Sequence, residues 1–295
     1  MRQVAAIDVT YHDVRLARLP NALAGLRIVQ VTDLHIGRWL GAEGLRGIAA
    51  LADSLDPDLL VLTGDFVGFR AMRRFEAALP DLAALRARLG VFACLGNHDH
   101  WEGVGRVQGG LQGIGVSVLV GEGVPVSAGL WLAAVDDAMM TPADVAAAVR
   151  DAPQGEAVVV LSHNPIVLPQ AAEHPCLVLA GHTHGGQLAL PRFGPRRTAS
   201  LPALRTLVRG YESLGVVWRR GRLSAVSTHR YPAGWYAHGR ARMYVNRGVG
   251  LNEAFPVRLN CPAEIACFTL HPGGEETEGR QRTNGRVSSG GMGEG

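Results

Sequence analysis

The sequence predicts an α/β fold built as a two-sheet β-sandwich flanked by helices. Five short apolar runs, rich in β-branched residues, each end in a polar or glycine stop, which is typical of buried strands. Helical periodicity separates several of these runs, and such alternation is typical of α/β proteins. The last apolar runs follow one another without intervening helices, which predicts a second and more antiparallel sheet.

The five strand-like runs occupy residues 26–35, 58–65, 91–99, 157–164 and 176–184. Apolar residues at helical spacing predict helices over residues 43–55 and 75–89, and Pro142 predicts the start of a third helix that reaches Val149. The opening residues alternate like a strand, and the runs QLALP, RMYVNRG and EIACFTLH predict later strands. Ligands bind at the carboxyl ends of strands in open α/β sheets, so the polar ends of the five runs are expected to converge.

The 295-residue length and 47% hydrophobic content are enough for one large domain or two small ones, and we predict a single domain over residues 1–271. The Gly/Glu/Ser-rich stretch 272–295 lacks an apolar period and is expected to be disordered. No apolar run is long enough to cross a bilayer, and the opening residues lack a signal-peptide core. Scattered cysteines predict reduced, buried thiols. These observations favour a cytoplasmic protein, with a peripheral position at the inner face of the membrane as a finer hypothesis.

A basic insertion is predicted at about residues 196–230. The wider stretch 192–242 holds eleven arginines against one acid, Glu212, so it carries +10 while the whole chain carries +3. An apolar stripe at helical spacing, with arginines on another face, comprises Leu201, Leu204, Val208 and Tyr211. Three interpretations remain open: a membrane-surface element, a lid for an anionic substrate, or an ordinary surface insertion.

The polar residues that end the five runs form a candidate metal site. They are Asp33, His35, Asp65, Asn97, His98, Asp99, His163, His182 and His184. A mixture of carboxylate, imidazole and amide oxygen suits manganese, iron, cobalt or zinc. The set exceeds what one ion can use, which predicts two divalent ions about 3.5–4 Å apart. Asp65 ends a middle strand and is placed to bridge them.

The blocks DLH, GD, GNHD, SH and GHTH, in this order over roughly residues 26–190, resemble the signature blocks of the calcineurin-like metallophosphoesterase superfamily. The segments GLRIVQVTDLHIG, GHTHGGQ, YVNRGVG and RLNCPAEI resemble one branch of it. That branch contains bacterial phosphodiesterases and the UDP-2,3-diacylglucosamine pyrophosphatases of lipid A biosynthesis, which are often membrane-anchored. The resemblance implies a four-layer αββα fold and hydrolysis of a phosphodiester or pyrophosphate, with a lipid-linked nucleotide sugar as one substrate.

The resemblance also implies roles for individual residues. It implies a first metal held by Asp33, His35 and His184, a second held by Asn97, His163 and His182, and a bridging Asp65. We expect His182 and His184 to point to one side of an extended chain, so that each reaches a different ion. By the same resemblance, His98 is the general acid, Asp99 orients its ring, and a hydroxide between the metals attacks the phosphorus.

Three further residues are predicted to contact substrate: Arg38, just past the DLHIG block, and Asn246 and Arg247, at the end of a later strand. Two alternative functions involve no turnover. One is a scaffold that keeps the metal site but has lost catalysis, although such a protein is expected to lack the GNHD histidine or some ligands. The other is a protein that binds nucleic acid or a membrane through the arginine-rich insertion.

Overall fold

The computed structural model of the protein describes most of the chain before residue 188 and several segments after it. The described residues are 7–187, 217–219, 222–224, 230–251, 256–258, 261–274 and 276–281. Most of the predicted insertion at 196–230, including its apolar stripe, lies outside them, as does most of the predicted strand QLALP. Among the residues described, no helix combines the length and apolar character needed to cross a bilayer.

Fifteen strands are described, thirteen of which form two large sheets. In chain order they are β1 (Ile7–Ala17), β2 (Arg27–Val31), β3 (Leu59–Thr63), β4 (Val91–Cys94), β5 (Ser117–Val118), β6 (Glu122–Ser127), β7 (Leu130–Ala134), β8 (Ala157–Ser162), β9 (Cys176–Ala180), β10 (Val217–Arg219), β11 (Arg222–Ser224), β12 (Gly234–His238), β13 (Ala241–Val245), β14 (Ala263–Gly273) and β15 (Glu278–Gln281). The first sheet has the order β15-β1-β14-β2-β3-β4-β5 and the second β12-β13-β9-β8-β7-β6, while β10 and β11 pair separately.

Helices cover both outer faces of the two sheets, and the predicted four-layer architecture is confirmed. The helices are α1 (Ala42–Ser54), α2 (Met72–Leu82), α3 (Asn97–Gly113) and α4 (Val145–Ala148). In β3, Leu60 and Leu62 face the helices, whereas Leu59 and Val61 face the second sheet. Because both faces of this strand are buried, it is apolar throughout and shows no alternation.

The parallel strands set the position of the site. Strands β2, β3 and β4 run parallel in the first sheet, and β7, β8, β9 and β13 run parallel in the second. The five predicted runs end at β2, β3, β4, β8 and β9, so their polar ends come together at one edge of the sandwich. We call this the metal edge.

Two predictions about the sheets and helices were wrong in detail. The later strands do not form the second sheet by themselves, because β13 pairs with β9 whereas β14 enters the first sheet beside β2. Helix α2 ends seven residues before the predicted limit at residue 89, since the Leu89 amide donates to the Asp58 carbonyl instead of continuing the helix. Helix α4 starts after Pro142 because the Asp144 side chain caps it, accepting a hydrogen bond from the Ala147 amide.

Helix α3 was not predicted, since five glycines interrupt its sequence. One of them, Gly103, has a φ of 124° and kinks the helix. Another, Gly110, lets α3 approach α2 closely, because a Cβ atom there would lie 3.1 Å from Leu79 and 3.2 Å from Phe75. The close packing offsets the low helix propensity of glycine.

The predicted disordered tail starts too early. Residues 272 and 273 end β14, and Glu278–Gln281 form β15, which pairs antiparallel with β1. Backbone pairing with an edge strand supplies the order that composition did not predict. Residues 282–295 lie outside the described segments. All four cysteines are buried thiols, as predicted.

Candidate metal centre

The loops that follow β2 and β3 lie side by side at the metal edge, and so do those that follow β8 and β9. The Asp33 amide donates to the Gly64 carbonyl at 3.0 Å, and the His35 amide donates to the Asp65 carbonyl at 3.0 Å. In the second sheet, the Gly181 amide donates to the His163 carbonyl at 3.0 Å. These bonds continue the strand pairing by a few residues and bring the polar side chains together.

The backbone at the metal edge is strained. Nine described non-glycine residues have a left-handed φ, and five of them are candidate ligands: Asp33, His35, Asp65, His182 and His184. Such conformations each cost of the order of 1 kcal/mol and concentrate at functional sites. The predicted extended chain at His182–His184 is therefore wrong, because His184 begins a short 3-10 turn. The turn, and not strand alternation, directs the two rings.

A glycine in the GD block makes room for a ligand. Gly64 has a φ of 87°, and a Cβ atom at this position would lie 2.7 Å from the ring of His163 and 2.7 Å from the Gly96 amide. No larger residue fits without moving the His163 ring.

The first ligand group consists of Asp33, His35 and His184, all buried. The Nε2 atoms of the two histidines lie 3.0 Å apart, and the Oδ1 atom of Asp33 lies 3.4 Å from His184 Nε2 and 4.0 Å from His35 Nε2. Ligands at about 2.0–2.2 Å from a common ion have separations of this size. The donor atoms of this group are therefore spaced like the ligands of a single metal ion.

The second ligand group consists of Asp65, His163 and His182. His163 Nε2 lies 3.3 Å from Asp65 Oδ2 and 3.1 Å from His182 Nδ1. The other ring nitrogen of His163 lies 2.7 Å from the Thr63 carbonyl, which fixes Nδ1 as the protonated nitrogen and leaves Nε2 for an ion.

Asp65 joins the two groups. Its Oδ2 atom lies 3.4 Å from His35 Nε2 in the first group and 3.3 Å from His163 Nε2 in the second. Its other oxygen accepts a hydrogen bond from the His98 amide at 2.9 Å. One carboxylate oxygen is thus within reach of both positions, which is the geometry of a bridging ligand.

A buried side-chain oxygen that lacks a hydrogen-bond partner among the described residues also fits metal binding. Asn97 is buried, and among the described residues its Oδ1 atom finds no hydrogen-bond partner. A buried carbonyl oxygen without a partner is costly unless a cation or water takes that place. The donor set of imidazole nitrogens, carboxylates and this amide suits first-row divalent metals.

Burial and nearby charges give the two ligand groups different protonation states. Burial lowers the pKa of His35 to about 3 and that of His184 well below its usual value, and it raises the pKa of Asp33 to about 6. Burial alone would lower the pKa of His163, but the Asp65 carboxylate raises it well above its usual value. The first group thus presents neutral imidazoles, whereas the second holds a proton that an ion would displace.

His98 stands beside both groups. Its ring packs edge-on against His35 at 4.6 Å between centroids and lies 4.9 Å from the Trp101 ring. A nitrogen of His98 also lies within 4.8 Å of the donor atoms of His35 and Asp65. The Nδ1 atom is buried and has no hydrogen-bond partner within the described part of the chain.

The predicted contact between Asp99 and the His98 ring is absent. The Asp99 carboxylate instead accepts hydrogen bonds from four backbone amides, those of Asp65, Phe66, Val67 and Gly96, at 2.8 to 3.2 Å. All four bonds hold loop backbone, because Asp99 faces into the protein from the first turn of α3. Its effect on the site runs through the position of Asp65.

The three predicted substrate contacts differ in placement. Arg38 is exposed beside the site, with its guanidinium over the Trp39 ring. Asn246 follows β13 at the metal edge as expected, but it is buried and its Oδ1 accepts a hydrogen bond from the Gly248 amide, so a substrate contact is not supported. Arg247 is likewise engaged, since its Nε donates to Glu264 at 3.0 Å and its Nη2 lies 3.5 Å from Asp8.

Sequence reasoning missed Arg258, which braces the first ligand group. Its Nη2 donates to the carbonyls of Arg247, Gly248 and Gly250 at 2.7 to 2.9 Å, and its Nη1 reaches the His184 carbonyl at 3.5 Å. Gly250 in turn donates its amide to the Asp33 carbonyl at 2.7 Å. Arg258 thus ties the Asp33 and His184 backbones together.

Glu264 is a second missed residue and anchors the same loop from the other side. It is buried and accepts hydrogen bonds from the Thr10 hydroxyl and the Tyr244 hydroxyl at 2.5 Å, and from the Arg247 amide at 3.0 Å. Arg258 lies outside the helices and strands and Glu264 lies near the start of β14, and neither position carries a local sequence signal for a supporting role. Only their contacts identify them.

The comparisons with known proteins cover the segment of the chain that carries this site. The family model described as calcineurin-like phosphoesterase matches residues 26–186, a span that contains every residue of both ligand groups.

Relatives resemble the chain over different lengths. YkuE of Bacillus subtilis, a metallophosphoesterase, is 28% identical over 271 residues, covering 90% of this chain and 85% of its own length. The phosphodiesterase YaeI of Escherichia coli is 29% identical, covering 87% of this chain and 86% of its own. The UDP-2,3-diacylglucosamine pyrophosphatase LpxG of Chlamydia muridarum is 41% identical over 100 residues, which are 34% of this chain and 30% of that protein.

Proposed function

This chain belongs to the calcineurin-like phosphoesterase family and is a phosphoric ester hydrolase, and we propose that it uses two divalent metal ions to cleave a phosphodiester or pyrophosphate bond. The observation that carries the proposal is the shared Asp65 Oδ2 atom, 3.4 Å from His35 Nε2 and 3.3 Å from His163 Nε2. Asp33, His35 and His184 hold one ion, and Asn97, His163 and His182 hold the other. Manganese, iron, zinc and cobalt all suit these donors.

When bound, two such ions supply an activated water and neutralise the charge that develops on the phosphoryl oxygens. The chain's own residues do the rest. Asp99 holds the Asp65 loop through backbone amides, and Thr63 orients the His163 ring. The exposed Arg38 offers a guanidinium for a phosphate that enters beside the metals. The side chains of Asn246 and Arg247 are engaged in hydrogen bonds within the protein, and we assign them no substrate contact.

His98 is the general acid in this proposal. It protonates the leaving oxygen, which matters most when the leaving group is a poor one such as an alkoxide. Its Nδ1 is buried without a hydrogen-bond partner among the residues that the structure describes, and this together with its position beside His35 supports the role. Asp99 acts as a positioning residue for the loop and not for the His98 ring.

The test replaces His98 by Asn and measures metal content and turnover together. We expect two ions per chain to remain, while kcat for an alkyl phosphodiester falls about 10²- to 10⁴-fold. The loss is expected to shrink for nitrophenyl esters, whose leaving group hardly needs a proton. His238→Asn, an exposed histidine on β12, is the matched control and keeps wild-type turnover. Loss of an ion in the His98 variant would make His98 a ligand and refute the acid role.

For the substrate, we propose a lipid-linked nucleotide sugar such as UDP-2,3-diacylglucosamine, acted on by a cytoplasmic enzyme at the membrane surface. The similarity to LpxG over 100 residues and the arginine-rich stretch 192–242 support this choice. A screen of metal-loaded protein against a soluble diester, a monoester, nucleotide pyrophosphates and a lipid-linked UDP-sugar tests it. A preference for the monoester would overturn it.

The scaffold alternative is disfavoured because all seven candidate ligands and His98 are present in the sequence. Retained metal with no turnover on any phosphate ester in the screen would favour it. The nucleic-acid alternative depends on the arginine-rich insertion, most of which lies outside the described residues.

A further inference from the structure

Exposed apolar side chains are concentrated at the metal edge. Within the described part of the chain, the exposed tryptophan and phenylalanine side chains are Trp39, Phe69 and Trp101, at 39%, 57% and 57% exposure. Each belongs to a different segment: Trp39 follows β2, Phe69 follows β3 and Trp101 follows β4. Three neighbouring parallel strands thus each end in a segment that presents one exposed aromatic ring beside the metal site.

Hydrogen bonds join the three segments to one another, two segments by backbone pairing and the third through a glutamate side chain. Ile36 and Val67 form an isolated bridge, and the Gly68 amide donates to the Ile36 carbonyl at 3.0 Å, so the first two segments lie side by side. Glu102, next to Trp101, accepts a hydrogen bond from the Arg70 amide at 2.7 Å and joins the third. The three segments that carry the rings therefore lie next to one another at the metal edge.

Arginines accompany the rings. The Arg38 guanidinium lies 5.1 Å from the centre of the Trp39 ring, and the Arg70 guanidinium lies 5.1 Å from the centre of the Phe69 ring. Arg73 and Arg74, in the first turn of α2, are also exposed. We call Trp39, Phe69 and Trp101, together with these four arginines, the aromatic rim.

The second sheet contributes further exposed apolar side chains at the same edge. Met139 and Met140 follow β7, and Ile166 follows β8. Apolar side chains thus project from loops of both sheets around the metal centre. Exposed apolar side chains grouped at one edge are typical of an interaction site.

We propose that the aromatic rim docks the metal edge onto an anionic lipid bilayer. Amphipathic tryptophan rings favour the level of the lipid headgroups, and arginines bind lipid phosphates while their aliphatic stems lie along apolar surface. A protein partner would require no such pairing of a guanidinium with two of the three rings, those of Trp39 and Phe69. The docking rests on the proposed membrane-proximal substrate, since it places a headgroup phosphate beside the ligand groups. None of the residues of the aromatic rim belongs to the arginine-rich insertion.

The first experiment measures co-sedimentation of metal-loaded protein with vesicles of phosphatidylcholine alone or with added phosphatidylglycerol. Wild type is expected to bind the anionic vesicles and to release them at high salt. Trp39→Ser combined with Phe69→Ser should weaken vesicle binding at least about ten-fold because apolar area stays in water. Arg70→Gln, Arg73→Gln and Arg74→Gln together should weaken it roughly 100-fold, about five-fold for each arginine.

A matched control removes three exposed arginines away from the metal edge: Arg86→Gln, Arg150→Gln and Arg280→Gln. This variant carries the same net charge as the rim variant, so equal losses in both would mean non-specific attraction and would overturn the proposal. The proposal would also be overturned if the Trp39/Phe69 double variant bound vesicles as tightly as wild type. It would likewise be overturned if wild type did not bind anionic vesicles.

A second measurement needs no destabilising change. Lipids brominated in the acyl chains should quench part of the wild-type tryptophan fluorescence, and Trp39→Phe should remove part of that quenching. No quenching of wild type would refute insertion of the rim.

Hydrolysis of a soluble diester separates this inference from the proposed function. The Trp39/Phe69 variant should keep that activity while losing vesicle binding. If the vesicle results hold but no phosphate ester is hydrolysed, the docking surface stands and the proposed reaction falls. If the variant instead loses activity on the soluble diester while vesicle binding is unchanged, the rim serves the substrate directly and the docking proposal falls.

Discussion

In the first ligand group the Nδ1 atom of His184 lies 3.4 Å from the Arg258 guanidinium, whereas in the second group the Nδ1 atom of His163 lies 2.7 Å from the Thr63 carbonyl. The second group is therefore braced by the strand that bears Asp65 itself. The first depends on a distant arginine that ties together the Asp33 and His184 backbones. One half of the centre is supported by a backbone carbonyl at the end of β3 and the other by the Arg258 side chain, so the two halves should fail independently.

Replacing Asp65 by Ala should have the largest effect, because it removes the atom that both groups share. We expect loss of both ions and turnover reduced to background, measured by elemental analysis of the purified protein and by phosphodiester hydrolysis. Asp81→Ala, at a surface ion pair with Arg46, serves as the control and should keep both ions. Full metal occupancy in the Asp65 variant would show that Asp65 is not a bridge.

Arg258→Met should affect the first half alone. Removing a residue that orients a metal ligand typically costs 10- to 100-fold in affinity, so binding of one ion should weaken by about that factor while the other ion binds as in wild type. Calorimetric titration of metal-free protein measures the two steps. Arg46→Met is the matched control on the surface of α1. Equal weakening of both steps would indicate a general loss of stability and would contradict the comparison.

Proton release on metal loading should differ in a smaller but diagnostic way. At pH 7.5 the first group can bind an ion without releasing a proton, since the pKa of His35 is about 3 and that of Asp33 about 6. The second must give up the proton on His163, whose pKa Asp65 raises well above its usual value, although burial opposes this. Titration heats should therefore depend on the buffer's ionisation enthalpy in one step only.

Below pH 6 the first step should also begin to release a proton, because Asp33 is then partly protonated. Binding of both ions should weaken as the pH falls, the second group's from a higher pH than the first group's. Two steps with identical proton release at pH 7.5 would contradict the electrostatic difference between the groups.

Much of the candidate site could be predicted because its signals are local. Each block follows an apolar strand within a few residues, and parallel strands that end at one edge must bring such residues together. Asp65 could be assigned to the middle because β3 lies between β2 and β4. The contacts of Asp99 could not be predicted. Its position in the GNHD block is the same whether its carboxylate faces the His98 ring or the backbone amides of the Asp65 loop, and only the direction of the first turn of α3 decides between them.

By itself, the sequence determined the α/β class, the strands that carry the site and the residue types that can bind metal, because hydrophobic periodicity and polar strand ends are properties of short stretches. Only the tertiary structure decided which distant residues support those ligands. Arg258 and Glu264 hold residues 247–250, and Gly250 in turn bonds the Asp33 carbonyl more than 200 residues earlier in the chain. The segments that carry Trp39, Phe69 and Trp101 likewise meet only in the folded protein. The physical reason is that hydrogen bonds and exposed surface depend on distances in space, which periodicity along the chain does not encode.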